Sequence, residues 1–141
     1  IGLKEATTEF CIAAESDVLY PPEYFIYTPP LKNRAYRYLN VWVHFAGRSK
    51  FYRKPFSEGA QMCATEHWIK SIEKVVNPSW ELDESPTPII FSEETTYAWT
   101  GNPLITFKTR EAKYFKTGFE NVGVTELPYW GTAKEVEEKY L

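Results

Sequence analysis

Alternating side chains from Tyr36 to Phe45 constrain the fold of this chain more than any other feature. Side chains in a strand point to opposite faces in turn, so the stretch divides into two faces. The first face is apolar and consists of Leu39, Val41, Val43 and Phe45. The second face is aromatic with polar tips and consists of Tyr36, Tyr38, Asn40, Trp42 and His44. We therefore predict one β-strand with a buried face and a half-exposed face, the second suited to an interface.

The stretch from Ser57 to Val76 shows the spacing of an amphipathic helix. Met62, Trp68 and Ile72 belong to an apolar stripe with a period of 3.6 residues. Ser57 is a suitable N-cap, and Asn77-Pro78 is a suitable end. The pattern predicts one long helix over residues 57–76.

Shorter signals complete the predicted elements. Gly47 permits a turn into a return strand from Ser49 to Phe56. Proline pairs on either side of Tyr24–Tyr27 predict a short extended segment there. Thr95–Trp99 and Leu104–Lys108 resemble the two strands of a hairpin around residues 101–103.

Two helix signals and one loop signal occur in the second half of the chain. Thr109 can cap a short helix that stops at Gly118, and residues 78–88 are predicted to form an acidic loop. Thr132 with Glu135 forms a capping-box pattern before a C-terminal helix over residues 133–140.

Together these elements predict an α+β fold: a small, mainly antiparallel sheet packed against one long amphipathic helix, with short C-terminal helices. With 141 residues, a single domain over residues 1–141 is expected. No apolar run approaches the ~20 residues of a membrane-spanning helix, so we predict no transmembrane segment.

The charge of the chain is unevenly distributed. Between Tyr24 and Ser57 there are seven basic residues and no acidic one, although the whole chain has 16 basic and 19 acidic residues. We call this stretch the basic window. Ten of the 24 aromatic residues also fall within it. A positive, aromatic segment of this kind indicates an interaction surface for an acidic or anionic partner.

We predict that the partner-binding residues come from this basic window. Arginine binds carboxylates in a bidentate manner, and tyrosine and tryptophan supply large contact areas. The predicted contact residues are Arg34, Arg37, Tyr38, Trp42, Arg48, Lys50, Arg53 and Lys54. Two alternatives stay open: phosphate contacts with base stacking on nucleic acid, and pairing of the window with the chain's own acidic residues, such as Glu81, Asp83 and Glu84.

Residue types for metal binding or nucleophilic catalysis are few. Cys11, His44, Cys63 and His67 could satisfy tetrahedral zinc by type. Cys63 and His67 stand four residues apart, however, and the predicted helix directs them to a solvated face beside Lys70 and Lys74. The chain has no C-x-x-C pair and no glycine-rich phosphate loop, so we predict no metal site and no cofactor. Free thiols are expected for both cysteines.

The sequence therefore favours a non-catalytic accessory subunit of a larger protein assembly that docks other protein subunits through the basic window. The chain begins at Ile1 without an initiator methionine, which favours a processed organellar protein, for example a mitochondrial one, in a reducing compartment. The alternatives are a nucleic-acid or anionic-ligand binding module, and a small enzyme with its site near His44.

Overall fold

The computed structural model describes residues 2–55, 57, 59–75, 96–108 and 123–141, with the backbone alone at 74 and 75. Its helices are α1 (Gly2–Glu5), α2 (Glu23–Ile26), α3 (Thr65–Val75) and α4 (Ala133–Tyr140). Its strands are β1 (Phe10–Ile12), β2 (Val18–Leu19), β3 (Ala35–Tyr38), β4 (Val41–Phe45), β5 (Phe51–Lys54), β6 (Gln61–Ala64), β7 (Thr96–Trp99), β8 (Leu104–Lys108), β9 (Glu126–Leu127) and β10 (Gly131–Thr132).

Over these described residues the strands form two four-stranded sheets and a hairpin. The first sheet has the order β1-β6-β3-β7, the second has the order β2-β8-β4-β5, and β9 pairs with β10. Each four-stranded sheet contains one parallel pair, β3 with β7 and β4 with β8. The α+β class is confirmed. The prediction of one mainly antiparallel sheet is wrong, because both sheets are mixed.

Two neighbouring stretches of chain pass from the first sheet to the second side by side. Leu39–Asn40 joins β3 to β4, and residues 100–103 join β7 to β8. The Leu39 N–H donates to the Trp99 carbonyl at 3.1 Å, and the Leu104 N–H donates to the Asn40 carbonyl at 2.8 Å. The parallel pairing therefore continues across the crossover, and the predicted hairpin between β7 and β8 is wrong: both strands exist, but each pairs with a strand much earlier in the chain.

The same crossover corrects the prediction of one continuous strand from Tyr36 to Phe45. The stretch forms two strands in different sheets, and the residues between them leave the ladder, so that Leu39 is 40% exposed. Both predicted faces are largely buried: Val41 and Phe45 from one face, and Tyr36 and His44 from the other. Strands covered on both sides lose the alternation of buried and exposed positions.

The predicted long helix is wrong over its first part. Residues Gln61–Ala64 form β6, which lies between β1 and β3 with antiparallel partners on each side. Met62 packs in the core with Tyr36, while Cys63 faces the other side of the sheet with Ala35. The helix begins at Thr65, because the hydrogen bonds of a central strand outweigh a local helical preference. Ser57 is buried and precedes a turn, so it is not the N-cap.

The predicted extended segment at Tyr24–Tyr27 is the one-turn helix α2. The Tyr24 N–H donates to the Pro21 carbonyl, and the Phe25 N–H donates to the Pro22 carbonyl. Proline has the φ of a helix and needs no donor in a first turn, so the pair starts a helix as readily as it ends a strand.

Two local predictions are confirmed. Gly47 adopts φ 78° in the turn before β5, which pairs antiparallel with β4. Thr132 accepts a hydrogen bond from the Glu135 backbone and completes the capping box of α4. The predictions for Thr109–Gly118 and for residues 78–88 lie outside the described residues. No helix in the described part of the chain is long and apolar enough to cross a membrane.

The largest core cluster combines residues of both sheets with α2. Tyr24, Tyr36, Tyr38 and Trp99 pack there with Val41 and Leu104, among others. A second cluster lies between the second sheet and α4 and includes Phe51, Ile105, Leu127 and Val136. Among the described residues, many aromatic side chains therefore lie in the core clusters, where they contribute large apolar areas.

Candidate interaction surface

The basic window does not form one continuous patch. Lys32 and Arg34 precede β3, Arg48 and Lys50 lie between β4 and β5, and Arg53 and Lys54 lie at the end of β5. The window runs along β3 and β4 and returns along β5. Its charges therefore lie in three places, and the candidate surface has to be assessed one place at a time.

Two of the predicted contact residues lie in the interior. Tyr38 is fully buried, and its hydroxyl donates to the Asn102 carbonyl at 2.6 Å. Burial raises the pKa of Tyr38, and the nearby Glu23 carboxylate raises it further. Arg37 is 8% exposed and lies opposite Gln61 in the ladder between β3 and β6. Neither side chain offers a partner much surface in this fold, so we leave both out of the candidate surface.

Trp42 and Arg53 form a unit that is stabilised within the chain. The Arg53 guanidinium lies 5.5 Å from the centre of the Trp42 ring. It donates to the Leu39 carbonyl at 2.8 Å and to the side-chain oxygen of Asn40 at 3.2 Å. The Trp42 ring N–H donates to that same oxygen at 2.9 Å. Trp42 also packs against the cluster beneath α4, so truncation of its side chain would cost stability as well as surface.

Arg48, Lys50 and Lys54 lie around the turn between β4 and β5 and at the end of β5. Arg48 is exposed, whereas Lys50 and Lys54 are half-buried. The stem of Lys50 lies against Gly123. The three side chains keep their charge near the surface, but no exposed large apolar residue accompanies them in β4 or β5.

Exposed large apolar side chains occur instead in α2, in the approach to β3, and in β7. Leu31 is 42%, Tyr97 45%, Phe25 51% and Ile26 77% exposed. We call these four residues, together with Arg34, the Tyr97 surface. The Arg34 guanidinium lies 5.8 Å from the centre of the Tyr97 ring, within the range of a cation–π contact.

A buried tyrosine, Tyr36, connects Tyr97 with Leu31. The Tyr36 ring contacts the Tyr97 ring edge-on with centres 5.8 Å apart, and its hydroxyl accepts the Leu31 N–H at 3.1 Å. Tyr27, the residue after α2, contacts Tyr36 and stacks on Trp99 at 5.0 Å with an interplanar angle of 8°. Tyr97 and Leu31 therefore lie over a buried aromatic layer, and α2 packs on that layer through Tyr24 and Trp99.

Sequence reasoning found only Arg34 of this surface. Phe25 and Ile26 were not selected, because the proline pairs predicted an extended segment there and did not indicate which side chains are exposed. Tyr97 gave no comparable signal, since its neighbours in space are set by the parallel pairing of β7 with β3.

His44 is fully buried and bonded on both sides. Its Nδ1 lies 3.2 Å from the Lys50 carbonyl, and its Nε2 lies 3.0 Å from a carboxylate oxygen of Glu137 in α4. The same oxygen accepts the Gly47 N–H at 2.6 Å. The Gly47 N–H, and then the His44 ring, lower the pKa of Glu137. We call this unit the His44 latch. Its ring has no exposed surface at which a substrate could bind.

The four metal-type residues are divided among the two sheets and α3, which contains His67. Cys11 and Cys63 pair across β1 and β6, whereas His44 belongs to the latch in the second sheet. Burial raises the pKa of the Cys63 thiol to about 12, which corrects the prediction that this thiol is on a solvated helix face. Within the described ranges, no group of three or more histidine, cysteine or acidic residues could hold a metal ion.

A groove of about 550 Å³ lies at the start of α3. Its lining includes Lys32, which pairs with Glu9, and Lys70, which pairs with Glu66. The Lys70 ammonium lowers the pKa of Glu66 and keeps that carboxylate charged. Cations and carboxylates therefore alternate around the groove, which does not concentrate positive potential for a phosphate backbone.

Comparison with known proteins finds no match for this chain, either among protein-family models, among curated proteins or among solved structures.

Proposed function

We propose that this protein is a non-catalytic accessory subunit of a larger protein assembly, and that it docks another subunit through the Tyr97 surface. An organelle such as the mitochondrion is the proposed setting. The observation that supports docking most directly is the exposure of Leu31 and Tyr97 over a buried aromatic layer. The helix α2, which packs on the same layer through Tyr24, also exposes Phe25 and Ile26.

The composition of the Tyr97 surface resembles that of binding hot spots. Neighbouring exposed apolar side chains are unusual on a protein that acts alone and mark interaction sites. Tyrosine and arginine are among the residue types whose truncation weakens binding most. Tyr97 and Arg34 are in contact, and the Leu31 backbone is held by the same Tyr36 side chain that contacts Tyr97.

The buried layer beneath the surface reduces the entropy lost on binding. Tyr36 is only 1% exposed and holds both Tyr97 and the Leu31 backbone. The stacking of Tyr27 on Trp99 holds the chain that follows α2. Side chains that are already ordered in the free protein lose less conformational entropy when a complex forms.

The partner we propose is a protein surface with an apolar centre and at least one carboxylate. The Arg34 guanidinium donates to the Asn33 carbonyl at 3.0 Å, and its Nε makes no hydrogen bond within the described part of the chain. This Nε is buried, so a partner carboxylate would bind the outer nitrogens of the guanidinium.

The test uses two matched double variants. Ile26→Asp with Tyr97→Ser alters the Tyr97 surface, and Leu141→Asp with Tyr129→Ser alters comparably exposed residues elsewhere, at 68% and 57% exposure. Each full-length variant replaces the native protein in its source cells, and extracts are separated by size. We expect the wild type and the Leu141/Tyr129 variant to migrate in a high-mass fraction, and the Ile26/Tyr97 variant to migrate as a monomer.

Two results would count against this function. If the wild type itself migrates as a monomer, no stable assembly exists. If the Ile26/Tyr97 variant stays in the high-mass fraction with an unchanged melting curve, docking does not use the Tyr97 surface. Nuclease treatment and added salt test the nucleic-acid alternative, since phosphate-driven binding weakens steeply with ionic strength.

A further inference from the structure

The two cysteines of the chain face each other across an antiparallel ladder. Cys11 in β1 is the direct partner of Cys63 in β6. The Ala13 N–H donates to the Gln61 carbonyl at 2.8 Å on one side, and the Thr65 N–H donates to the Glu9 carbonyl at 2.9 Å on the other. Cys11 and Cys63 therefore form a hydrogen-bonded pair with their side chains on the same face of the sheet.

Such a pair has the backbone separation that a disulfide needs. The Cα atoms of a hydrogen-bonded pair lie about 5.5 Å apart, and disulfides span Cα separations of about 4.4–6.8 Å. The Cβ atoms of directly opposed residues lie about 4.5–5.5 Å apart, and a disulfide needs about 3.5–4.5 Å. The short edge strand β1 therefore has to shift slightly toward β6 for the two sulfur atoms to join. Both thiols are free in this structure.

The two thiols have different environments. Cys63 is fully buried, beside Ala35 and Trp68. Cys11 is half-buried, and its sulfur lies 3.2 Å from the Thr65 hydroxyl. That hydroxyl donates its proton to the Thr8 carbonyl, so it accepts the Cys11 S–H. An oxidant from solvent therefore reaches Cys11 first, because Cys63 is inaccessible within the sheet.

We propose that Cys11 and Cys63 are a redox-active pair that closes a reversible cross-strand disulfide when the protein meets a peroxide. The Cys11 thiolate attacks the peroxide, the O–O bond breaks, and Cys11 becomes a sulfenic acid while hydroxide leaves. Cys63 then attacks the Cys11 sulfur, the S–O bond breaks, and the departing hydroxide takes the Cys63 proton as water. Overall, two thiols and hydrogen peroxide give one disulfide and two molecules of water.

The disulfide changes how the first sheet is held together. In the reduced protein, β1 has only three residues and, among the described strands, pairs with β6 alone. The bond would join this edge strand covalently to a central strand and close a loop of about fifty residues, which restricts the unfolded chain. It would also remove the Cys11–Thr65 hydrogen bond at the start of α3. This inference is independent of the proposed function.

The experiment treats the reduced full-length protein with a few equivalents of hydrogen peroxide, blocks the remaining thiols, and maps peptides without reduction. We expect a peptide pair joined through Cys11 and Cys63, with the loss of two hydrogen atoms from the intact mass. We also expect dithiothreitol to reverse the change, and the melting temperature to rise by about 5–10 °C on oxidation.

Variants locate the first step. Cys11→Ser should leave Cys63 as an unmodified thiol under the same treatment. Cys63→Ala should leave a sulfenic acid at Cys11 that a 1,3-diketone probe captures, with circular dichroism confirming the fold of each variant. Sulfinic acid at Cys11 beside an unmodified Cys63 in the wild type, or disulfide-linked dimers in place of the internal bond, would overturn the proposal; the wild-type peptide map alone decides this.

Discussion

The His44 latch and the Tyr97 surface have similar residue types, but the latch is buried and the Tyr97 surface is largely exposed. Both involve the basic window, and both place aromatic residues next to polar groups. At the latch, α4 covers the sheet, and Glu137 meets the ring of His44 and the Gly47 N–H. At the Tyr97 surface, apolar residues remain exposed, and the half-buried Arg34 lies over the Tyr97 ring.

The difference shows that residue type alone does not separate a structural site from the exposed surface that we propose for docking. The latch uses an acidic residue of the chain itself, 93 positions after His44, to satisfy buried polar groups. The Tyr97 surface has an arginine donor that finds no hydrogen bond in the described part of the chain. We therefore expect substitutions in the interior and the latch to change stability, and substitutions in the Tyr97 surface to change association.

The largest effect is expected for Tyr38→Ala, in the aromatic core beneath the crossover. Removal of a fully buried ring should lower the free energy of unfolding by about 3–5 kcal/mol, measured by urea denaturation. Tyr38→Phe removes only the hydrogen bond to the Asn102 carbonyl and should cost about 1–2 kcal/mol. If Tyr38→Ala left the free energy of unfolding unchanged, Tyr38 would not be a core residue. It would then again be a candidate contact residue.

A smaller effect is expected for Glu137→Ala, which opens the His44 latch. The buried His44 ring loses a partner and the Gly47 N–H loses its acceptor, so we expect a loss of about 1–3 kcal/mol at neutral pH. Glu138→Ala is the matched control, because its exposed pair with Lys134 should be worth less than about 1 kcal/mol. If both substitutions lowered the free energy of unfolding equally, the His44 latch would not contribute to stability.

The same carboxylate should make stability depend on pH. Its pKa is lower in the folded protein than in the unfolded chain, where glutamate titrates near about 4.3. Its contribution is therefore complete above the unfolded pKa and is lost as pH falls through the folded pKa. Urea denaturation from pH 6 to about pH 3 should show a shallower decline for Glu137→Gln than for the wild type. Parallel curves would show that Glu137 is not stabilised in its charged form.

The smallest effect on stability is expected for Ile26→Ser in the Tyr97 surface. The side chain is 77% exposed, so its replacement should change the free energy of unfolding by less than about 0.5 kcal/mol. Thermal melting checks this value, and the size of the native assembly checks docking. A loss comparable to that of Glu137→Ala would show that Ile26 is part of the core, and the comparison between the two regions would fail.

Local patterns were sufficient for the elements whose partners lie close in the chain. The turn at Gly47 and the pairing of β4 with β5 follow from alternation and a glycine with positive φ. The capping box of α4 needs only Thr132 and Glu135. Patterns failed where distant strands compete with local preference: Gln61–Ala64 has helical spacing but is held between β1 and β3.

The residues of the Tyr97 surface also differ in whether the sequence alone could indicate them. Arg34 could be selected from the sequence because charge is a property of the residue itself. Tyr97 could not, because its place beside Tyr36 depends on a parallel pairing between strands about sixty residues apart. Parallel partners are joined by long connections, and a short window of sequence contains no information about them.

By itself, the sequence determined the α+β class, the separation of charge along the chain, the β4–β5 turn and the capped helix α4, because each depends on residue type or on neighbours a few positions away. Only the tertiary structure decided that the aromatic residues of the window are mostly buried, that His44 belongs to a latch, and that an apolar surface forms around Tyr97. The physical reason is that burial and exposure depend on which distant segments pack together, and two parallel crossovers between sheets bring those segments into contact.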